Sequence, residues 1–172
     1  ARLRRLVERP DVGTRLQPVN LQQTVRDALD LLEPELRRRG VQPQVQGAPD
    51  GVRVLADPVA LEQIVHNLLL NALQALDQAP ADARRLALAW DIAQGQGRLA
   101  VQDSGPGIAA EVLPRVFEPF FSTRQGGLGL GLSLCESLAH GMGGQLSAAN
   151  AGPGAPGGAV FRLTLPLAGG PA

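Results

Sequence analysis

The sequence contains a single cysteine, no lysine and no surplus of charge. Because Cys135 is alone, an internal disulfide and a cysteine-built metal site are excluded, and a reducing compartment is favoured. All sixteen basic residues are arginine, and sixteen acidic residues balance them to a formal net charge of zero. A neutral chain has no general attraction for nucleic acid or for an acidic membrane surface.

Long apolar runs are also missing. No stretch approaches the roughly 18–20 apolar residues of a membrane span, so we expect no direct membrane insertion. The 172 residues suffice for one domain with a substantial core, or for one domain with an appendage. The chain begins with Ala1, and residues 1–9 have the pattern of the last turns of a helix. We therefore interpret the chain as a piece of a longer protein.

Hydrophobic periodicity predicts alternating strands and helices. A helix over 20–39 is expected to end at Gly40, and Pro34 within it is a position where it can kink. The other predicted helices cover 58–76, a short stretch near 109–115, and a stretch from the glycines at 127–131 to about Gly141. Strands are predicted at 15–19, 41–46, 52–56, 84–92, 97–102, 145–149 and 159–165. Helices segregated to one face of a mixed sheet favour a two-layer α/β sandwich of the α+β class.

The predicted helix over 58–76 has an unusual polar face. Asp57 and Pro58 form a typical helix start, and one face repeats apolar residues at helical spacing. The other face carries only neutral amides: Gln63, Asn67, Asn71, Gln74 and Gln78. Solvated helix faces usually carry Glu, Lys and Arg. The amides therefore indicate a surface facing something polar, such as a nucleotide and its metal, with an amide-rich solvated face as the alternative.

A glycine-rich segment covers 126–131 and runs into a predicted helix. Without Cβ atoms, such a loop lets a phosphate approach the main-chain amides, and the free N–H groups of a helix start favour an anion. A plain flexible turn is the alternative. The segment is neither a Walker phosphate loop nor a dinucleotide fingerprint, and the protein-kinase signature motifs are missing.

Asp103 follows a predicted strand and opens a turn that contains Gly105 and Gly107. A carboxylate placed there can accept a hydrogen bond from an exocyclic amine, and the glycines let a flat ring approach the backbone. A turn-forming Asx residue is the alternative. Asn71 offers an amide oxygen of the hard type that suits Mg²⁺.

Four segments together resemble the motifs of the catalytic ATP-binding domain of sensor histidine kinases, which has the Bergerat-type fold of the GHKL superfamily. They resemble its N box, first glycine box, F box and second glycine box, at 67–72, 103–108, 117–121 and 127–133. The order and spacing match, over roughly residues 15–167. The segment Phe-Phe-Ser-Thr-Arg and the tail 143–150 look most like the nitrogen-regulation and dicarboxylate-sensing branch.

The resemblance implies roles for individual residues. Asp103 would bind the adenine amine and Asn71 the Mg²⁺, while the glycines wrap the triphosphate. Asn67 beside the phosphates and Arg124 near the terminal phosphate would be the catalytic residues. The whole nucleotide-binding set implied is Asn71, Asp103, Gly105, Gly107, Ile108, Phe120, Ser122, Thr123, Arg124, Gly127, Leu128, Gly129, Leu130, Gly131 and Leu132. Gln74 stands where many relatives carry Lys, so more of the charge compensation is expected to fall on Arg124.

The resemblance also implies partners. Residues 1–14 would be the end of an upstream dimerisation helix and a linker, 15–168 the catalytic domain, and 169–172 a tail. Such a domain binds ATP and Mg²⁺ and phosphorylates a histidine on the dimerisation domain of a homodimer, which passes the phosphate to a response-regulator receiver domain. The chain is expected to lie in the cytoplasm, and it could there be the cytoplasmic part of a membrane-anchored sensor.

Two histidines and two rival functions complete the expectations. Neither His66 nor His140 begins a His-Glu or His-Asp pair, so we interpret both as structural or surface residues. The first rival function is an ATPase of the gyrase, Hsp90 and mismatch-repair type. The second is a degenerate module that binds a nucleotide or a partner without catalysis, against which the intact glycines, Asp103 and Asn71 argue.

Overall fold

The computed structural model describes residues 15–119, 131–151 and 157–169 of the chain. Its helices are α1 (Leu21–Leu31), α2 (Glu33–Arg39), α3 (Pro58–Leu76) and α4 (Gly131–Gly141). Its strands are β1 (Gln17–Asn20), β2 (Gln44–Gly47), β3 (Arg53–Ala56), β4 (Leu86–Ala93), β5 (Gln96–Asp103), β6 (Gln145–Asn150) and β7 (Ala159–Pro166). Short 3-10 turns lie at Ala81–Ala83 and Leu113–Arg115.

The main sheet has five strands in the order β2-β4-β5-β7-β6. β2 runs parallel to β4, and the other neighbouring pairs are antiparallel. A separate two-stranded sheet pairs β1 with β3. The mixed sheet agrees with the prediction from the sequence.

The helices cover one face of the five-stranded sheet. Leu86, Leu88 and Trp90 of β4 are buried, whereas Ala89 and Asp91, which point to the other face, are exposed. α3 contacts β5, α1 and α4, and α4 also packs on β6 and β7. Because strand side chains alternate between faces, this pattern gives a two-layer sandwich. The predicted α+β fold is confirmed.

Two predicted helices differ from the structure. The helix predicted over 20–39 is broken at Leu32 (φ −94°, ψ 7°), and Pro34 lies in the first turn of α2. Proline cannot donate a hydrogen bond and its ring clashes with the carbonyl four residues back, so the chain starts a second helix where a kink was expected. The short helix near 109–115 is only the 3-10 turn Leu113–Arg115.

The predicted domain boundaries at the two ends of the chain stay predictions. Residues 1–14 and 170–172 lie outside the described residues, and with them the expected upstream helix and most of the tail. Ala168 is held by a hydrogen bond of its N–H to the carbonyl of Arg53, 3.0 Å away. In the part of the chain that the structure describes, no helix has both the length and the apolar character needed to cross a membrane.

Candidate nucleotide-binding site

The start of α3 is fixed by a buried cap. Asp57, 5% exposed, accepts hydrogen bonds from the N–H groups of Val59 (3.0 Å) and Ala60 (3.4 Å), which otherwise lack partners at a helix start. The N–H of Asp57 lies 3.3 Å from the sulfur of Met142, just beyond the end of α4. α3 and α4, which carry candidate site residues, are therefore tied together at this end.

The amide stripe of α3 divides into a buried part and an exposed part. Asn71 is buried and Asn67 half-buried, whereas Gln63 and Gln74 are exposed. Gln78 is also exposed and lies beyond the last residue of the helix. The stripe is thus not one continuous protected surface. Asn67 and Asn71, one helical turn apart, remain as the amides withdrawn from solvent.

Asp103 is the last residue of β5 and is only 2% exposed. Its Oδ1 atom accepts hydrogen bonds from the N–H groups of Gly105 (2.9 Å) and Ala159 (3.5 Å). Carboxylates that accept main-chain hydrogen bonds are stabilised in the charged form. These main-chain hydrogen bonds thus hold the carboxylate in one orientation at the start of the turn.

Glycine is required at position 105 by close packing. A Cβ atom there would lie 2.8 Å from the main-chain oxygen of Ala75 in α3, which is closer than real Cβ contacts come. Ala75 follows Asn71 by about one helical turn. The turn after Asp103 therefore rests directly on the α3 segment that follows Asn71.

The β6–β7 side of the site contains two residues that the sequence reasoning missed. The side chain of Asn150 accepts from the N–H of Ile108 and donates to its carbonyl, each at 2.7 Å. A Cβ atom at Gly158 would overlap the main-chain oxygen of Asp103. A lone Asn at a strand end and one glycine among several give no pattern in the sequence, so no local signal distinguishes them.

Phe117 anchors the beginning of the F-box segment. Its ring meets that of Phe161 in β7 edge to face, with ring centroids 6.3 Å apart and planes at 84°, a favourable aromatic geometry. The neighbouring Val116 is 8% exposed. The described part of the F-box segment is thus packed against the core at Val116 and Phe117.

Several predicted site residues lie outside the described residues: Phe120, Ser122, Thr123, Arg124, Gly127, Leu128, Gly129 and Leu130. Gly131 and Leu132 form the first turn of α4, where Gly131 is exposed and Leu132 packs against the core. The triphosphate loop and the role of Arg124 therefore stay predictions. The structure does place the turn that follows Asp103 against α3, the helix that carries Asn67 and Asn71.

Both histidines lie among the described residues. His66 is half-buried on α3, and His140 is exposed in the last turn of α4.

Within ranges 15–119, 131–151 and 157–169, no group of three or more His, Cys, Asp or Glu side chains could hold a metal ion. The buried amide of Asn71 fits Mg²⁺, because this ion keeps several waters and takes further ligands from substrate phosphates.

Comparison with known families gives a match over residues 56–169. The matching family is described as "Histidine kinase-, DNA gyrase B-, and HSP90-like ATPase". The matched range begins just before α3 and includes all four motifs.

Curated relatives are sensor proteins much longer than this chain. The C4-dicarboxylate transport sensor protein DctB of Pseudomonas aeruginosa is 40% identical over 161 residues, which are 89% of this chain and 25% of that protein. DctS of Rhodobacter capsulatus is 34% identical over 88% of this chain and 23% of its own length. Sensor protein TdiS of Thauera aromatica is 31% identical over 87% of this chain and 27% of its own length. The chain thus spans about a quarter of these relatives.

Solved structures with the same fold are histidine kinases. The nucleotide-free catalytic domain of ThkA has a TM-score of 0.76 at 27% identity and covers 88% of this chain and 95% of its own. Full-length ShkA in complex with AMPPNP has a TM-score of 0.74 at 30% identity, over 89% of this chain and 31% of its own. ThkA in complex with the response regulator protein TrrA has a TM-score of 0.73 at 25% identity, over 89% and 42%.

Proposed function

Because the chain belongs to the family of histidine kinase-, DNA gyrase B- and HSP90-like ATPases, we propose that it binds ATP with Mg²⁺ and presents the terminal phosphate to a histidine on another domain. The chain has the fold of histidine kinase catalytic domains, and the expected family is confirmed. The observation that carries the proposal is the buried Asp103 carboxylate, held by main-chain donors in a glycine turn packed on α3.

Asp103 is proposed to recognise the adenine base. A carboxylate has up to four acceptor positions, so the Asp103 carboxylate, one oxygen of which accepts from Gly105 and Ala159, is a suitable group to accept a hydrogen bond from an exocyclic amine. Glycines at 105 and 107 keep side chains out of the turn on which the ring would lie. Ile108, partly buried against the core, would give the ring an apolar neighbour. Support also comes from ShkA, whose structure contains AMPPNP, an adenine nucleotide analogue.

Asn71 is proposed to hold the metal ion. When bound, Mg²⁺ would neutralise phosphate charge and orient the triphosphate. Asn71 would supply one amide oxygen from a side chain that is 9% exposed, and burial limits the orientations of that amide. The glycines from Gly127 to Gly131 and the guanidinium of Arg124 would bind the phosphates, and Gln74 offers no charge for this task.

Asn67 favours phosphoryl transfer to histidine over hydrolysis. In the hydrolysing relatives of this superfamily, as the resemblance implies, a Glu four residues before the metal-binding Asn acts as general base. An amide cannot accept a proton from water at neutral pH, whereas a neutral imidazole already carries a nucleophilic lone pair. Catalysis would then come mainly from positioning and charge stabilisation.

The partners are proposed from the same relatives. A histidine-bearing dimerisation domain would supply the acceptor within a homodimer, and a response-regulator receiver domain would take the phosphate from it. ThkA is known in a complex with the response regulator TrrA, which supports this sequence of partners. The cytoplasm, where ATP and receiver domains are found, is the proposed location.

A phosphate-release assay tests the proposal. We expect the purified chain to bind ATP, to release phosphate far more slowly than one turnover per minute, and to carry no label at His66 or His140. Labelled phosphate should move to protein only when a histidine-bearing dimerisation domain is added. Several turnovers per minute, lost in Asn71→Ala, would support an ATPase instead. Failure of the folded chain to bind ATP would support the non-catalytic alternative.

A further inference from the structure

We propose that Asn150 is a positioning residue for base recognition: its side chain sets the position of the turn on which the adenine lies. The inference rests on the proposed role of Asp103 and extends it to a second residue, located on β6. Asn150 would not touch the nucleotide. It would act through the main chain of Ile108, at the far end of the turn that Asp103 begins.

The two hydrogen bonds of Asn150 hold one residue from both sides. Its Oδ1 atom accepts from the N–H of Ile108, and its Nδ2 atom donates to the carbonyl of Ile108, both at 2.7 Å and across 42 positions in sequence. Paired hydrogen bonds fix orientation as well as distance, as bidentate contacts do elsewhere. Of the side chains, only those of Asn and Gln offer a neutral donor and acceptor in this arrangement.

Gly107 permits this contact. It has φ +82°, which glycine adopts without strain, and a Cβ atom there would lie 3.0 Å from Oδ1 of Asn150. Any larger residue at 107 would therefore press on the Asn150 amide as well as strain the backbone. The glycine and the asparagine form one unit, although they lie far apart in sequence.

The β6–β7 pair also contacts the start of the turn. Asn150 is opposite Ala159 in the strand register, and the N–H of Ala159 lies 3.5 Å from Oδ1 of Asp103. The N–H of Ala151 donates to the carbonyl of Gly158 at 2.9 Å, and Gly158 packs against the main chain of Asp103. One pair of strands thus sets the distance between the carboxylate and the end of the turn.

The fold itself depends little on Asn150. Asn150 is exposed and is not part of the hydrophobic core. Surface substitutions usually change stability only slightly. The turn, in contrast, would lose the two hydrogen bonds that hold its far end at Ile108. We therefore expect a substitution at 150 to change base affinity more than it changes stability.

Calorimetric titration with ADP and IDP tests the proposal. IDP carries a carbonyl oxygen in place of the adenine amine, so it lacks the exocyclic donor that Asp103 would accept from and should depend less on the position of the turn. We expect Asn150→Ala to weaken ADP binding about fivefold to tenfold, as for the loss of one to two neutral hydrogen bonds, and IDP binding less than twofold. Asn150→Asp should bind ADP at least as weakly as Asn150→Ala, because the second carboxylate oxygen would face the carbonyl oxygen of Ile108.

Gln145→Ala is the matched control, since Gln145 is an exposed amide at the opposite end of β6. It should leave both affinities unchanged. Thermal unfolding of each variant shows whether it is folded. If Asn150→Ala and Asn150→Asp both keep the wild-type selectivity for ADP over IDP, the positioning role of Asn150 is overturned. The proposed role of Asp103 would be unaffected by that result. A wild-type chain that binds IDP as tightly as ADP would overturn the role of Asp103 itself, and this inference with it.

Discussion

The side-chain amide of Asn67 donates a hydrogen bond to the sulfur of Cys135, 3.6 Å away and 68 positions further along the chain. Cys135 is fully buried, and burial raises the pKa of its thiol to about 11, against a smaller lowering by the Asn67 hydrogen bond. At neutral pH the sulfur is therefore a neutral thiol. The contact joins α3 to α4 and restricts the rotation of the Asn67 amide.

The first prediction follows from this burial. At pH 8 a thiol with a pKa of about 11 is on the order of one part in a thousand thiolate, and thiolate is the reactive form. We expect a disulfide reagent such as DTNB to label Cys135 extremely slowly in the native chain and completely in urea. Cys135→Ala gives the background rate. Rapid stoichiometric labelling without urea would contradict the buried position.

The second prediction concerns adenine recognition. Asp103→Ala should weaken ADP binding by about 1.5–3 kcal/mol, the usual value of a hydrogen bond to a charged group. It should also lower the free energy of unfolding, because the N–H groups of Gly105 and Ala159 lose an acceptor. Calorimetric titration below the melting temperature measures the affinity, and Asp82→Ala, on an exposed turn, is the control. Near wild-type affinity in the folded variant would remove Asp103 from the site.

The third prediction separates the metal role of Asn71 from a packing role. Asn71→Ala should weaken ATP binding in the presence of Mg²⁺ by roughly tenfold or more. In EDTA the difference from wild type should become small, because no ion is left for the amide to coordinate. Glu62→Ala, an exposed position on the same helix, should match wild type in both conditions. An equal loss with and without Mg²⁺ would indicate packing alone.

The fourth prediction concerns stability and pH. The side chain of Asp77, just after α3, binds the guanidinium of Arg39 at 2.8 and 3.1 Å. That hydrogen bond to Arg39 holds the pKa of Asp77 below its ordinary value of 3.8. A lowered pKa in the folded state stabilises the fold at pH values above the ordinary value, and the contribution is lost as pH falls through the folded-state pKa.

Asp77→Asn should therefore lower the free energy of unfolding at pH 7 by about 0.5–1 kcal/mol, the upper part of the range for surface ion pairs, since the Asp77 side chain is half exposed. The difference from wild type should shrink as the pH falls below 3.8. Urea unfolding at several pH values measures this. Asp82→Asn, in the neighbouring 3-10 turn, is the control. A difference that does not change with pH would assign the effect to shape and not to charge.

The order of strands and helices could be predicted because each element carries its own local signal. The β4–β5 hairpin has alternating apolar residues on both sides of a turn at Gln94 and Gly95, with φ +56° and +75°, as two-residue hairpin turns require. Gly40 ends α2 with φ +68°. These features depend on neighbouring residues alone, so the sequence contains them in full.

The break at Pro34 shows the limit of that local signal. The apolar residues Val25, Leu29, Leu32 and Leu36 keep helical spacing across it, so periodicity cannot separate one kinked helix from two. In the structure α1 packs on α3, and Arg39 at the end of α2 pairs with Asp77 just beyond α3. Such packing is absent from a local pattern.

The sequence by itself determined the family and the two-layer fold and named the residues of the candidate site, because the four motifs and the periodicities lie along contiguous stretches. The tertiary structure alone decided which of the amides on α3 are buried, that Asn67 meets Cys135, and that Asn150 holds Ile108. The physical reason is that these contacts join residues 42 and 68 positions apart. They form only when the register of β6 with β7 and the packing of α3 on α4 bring those side chains within hydrogen-bond distance.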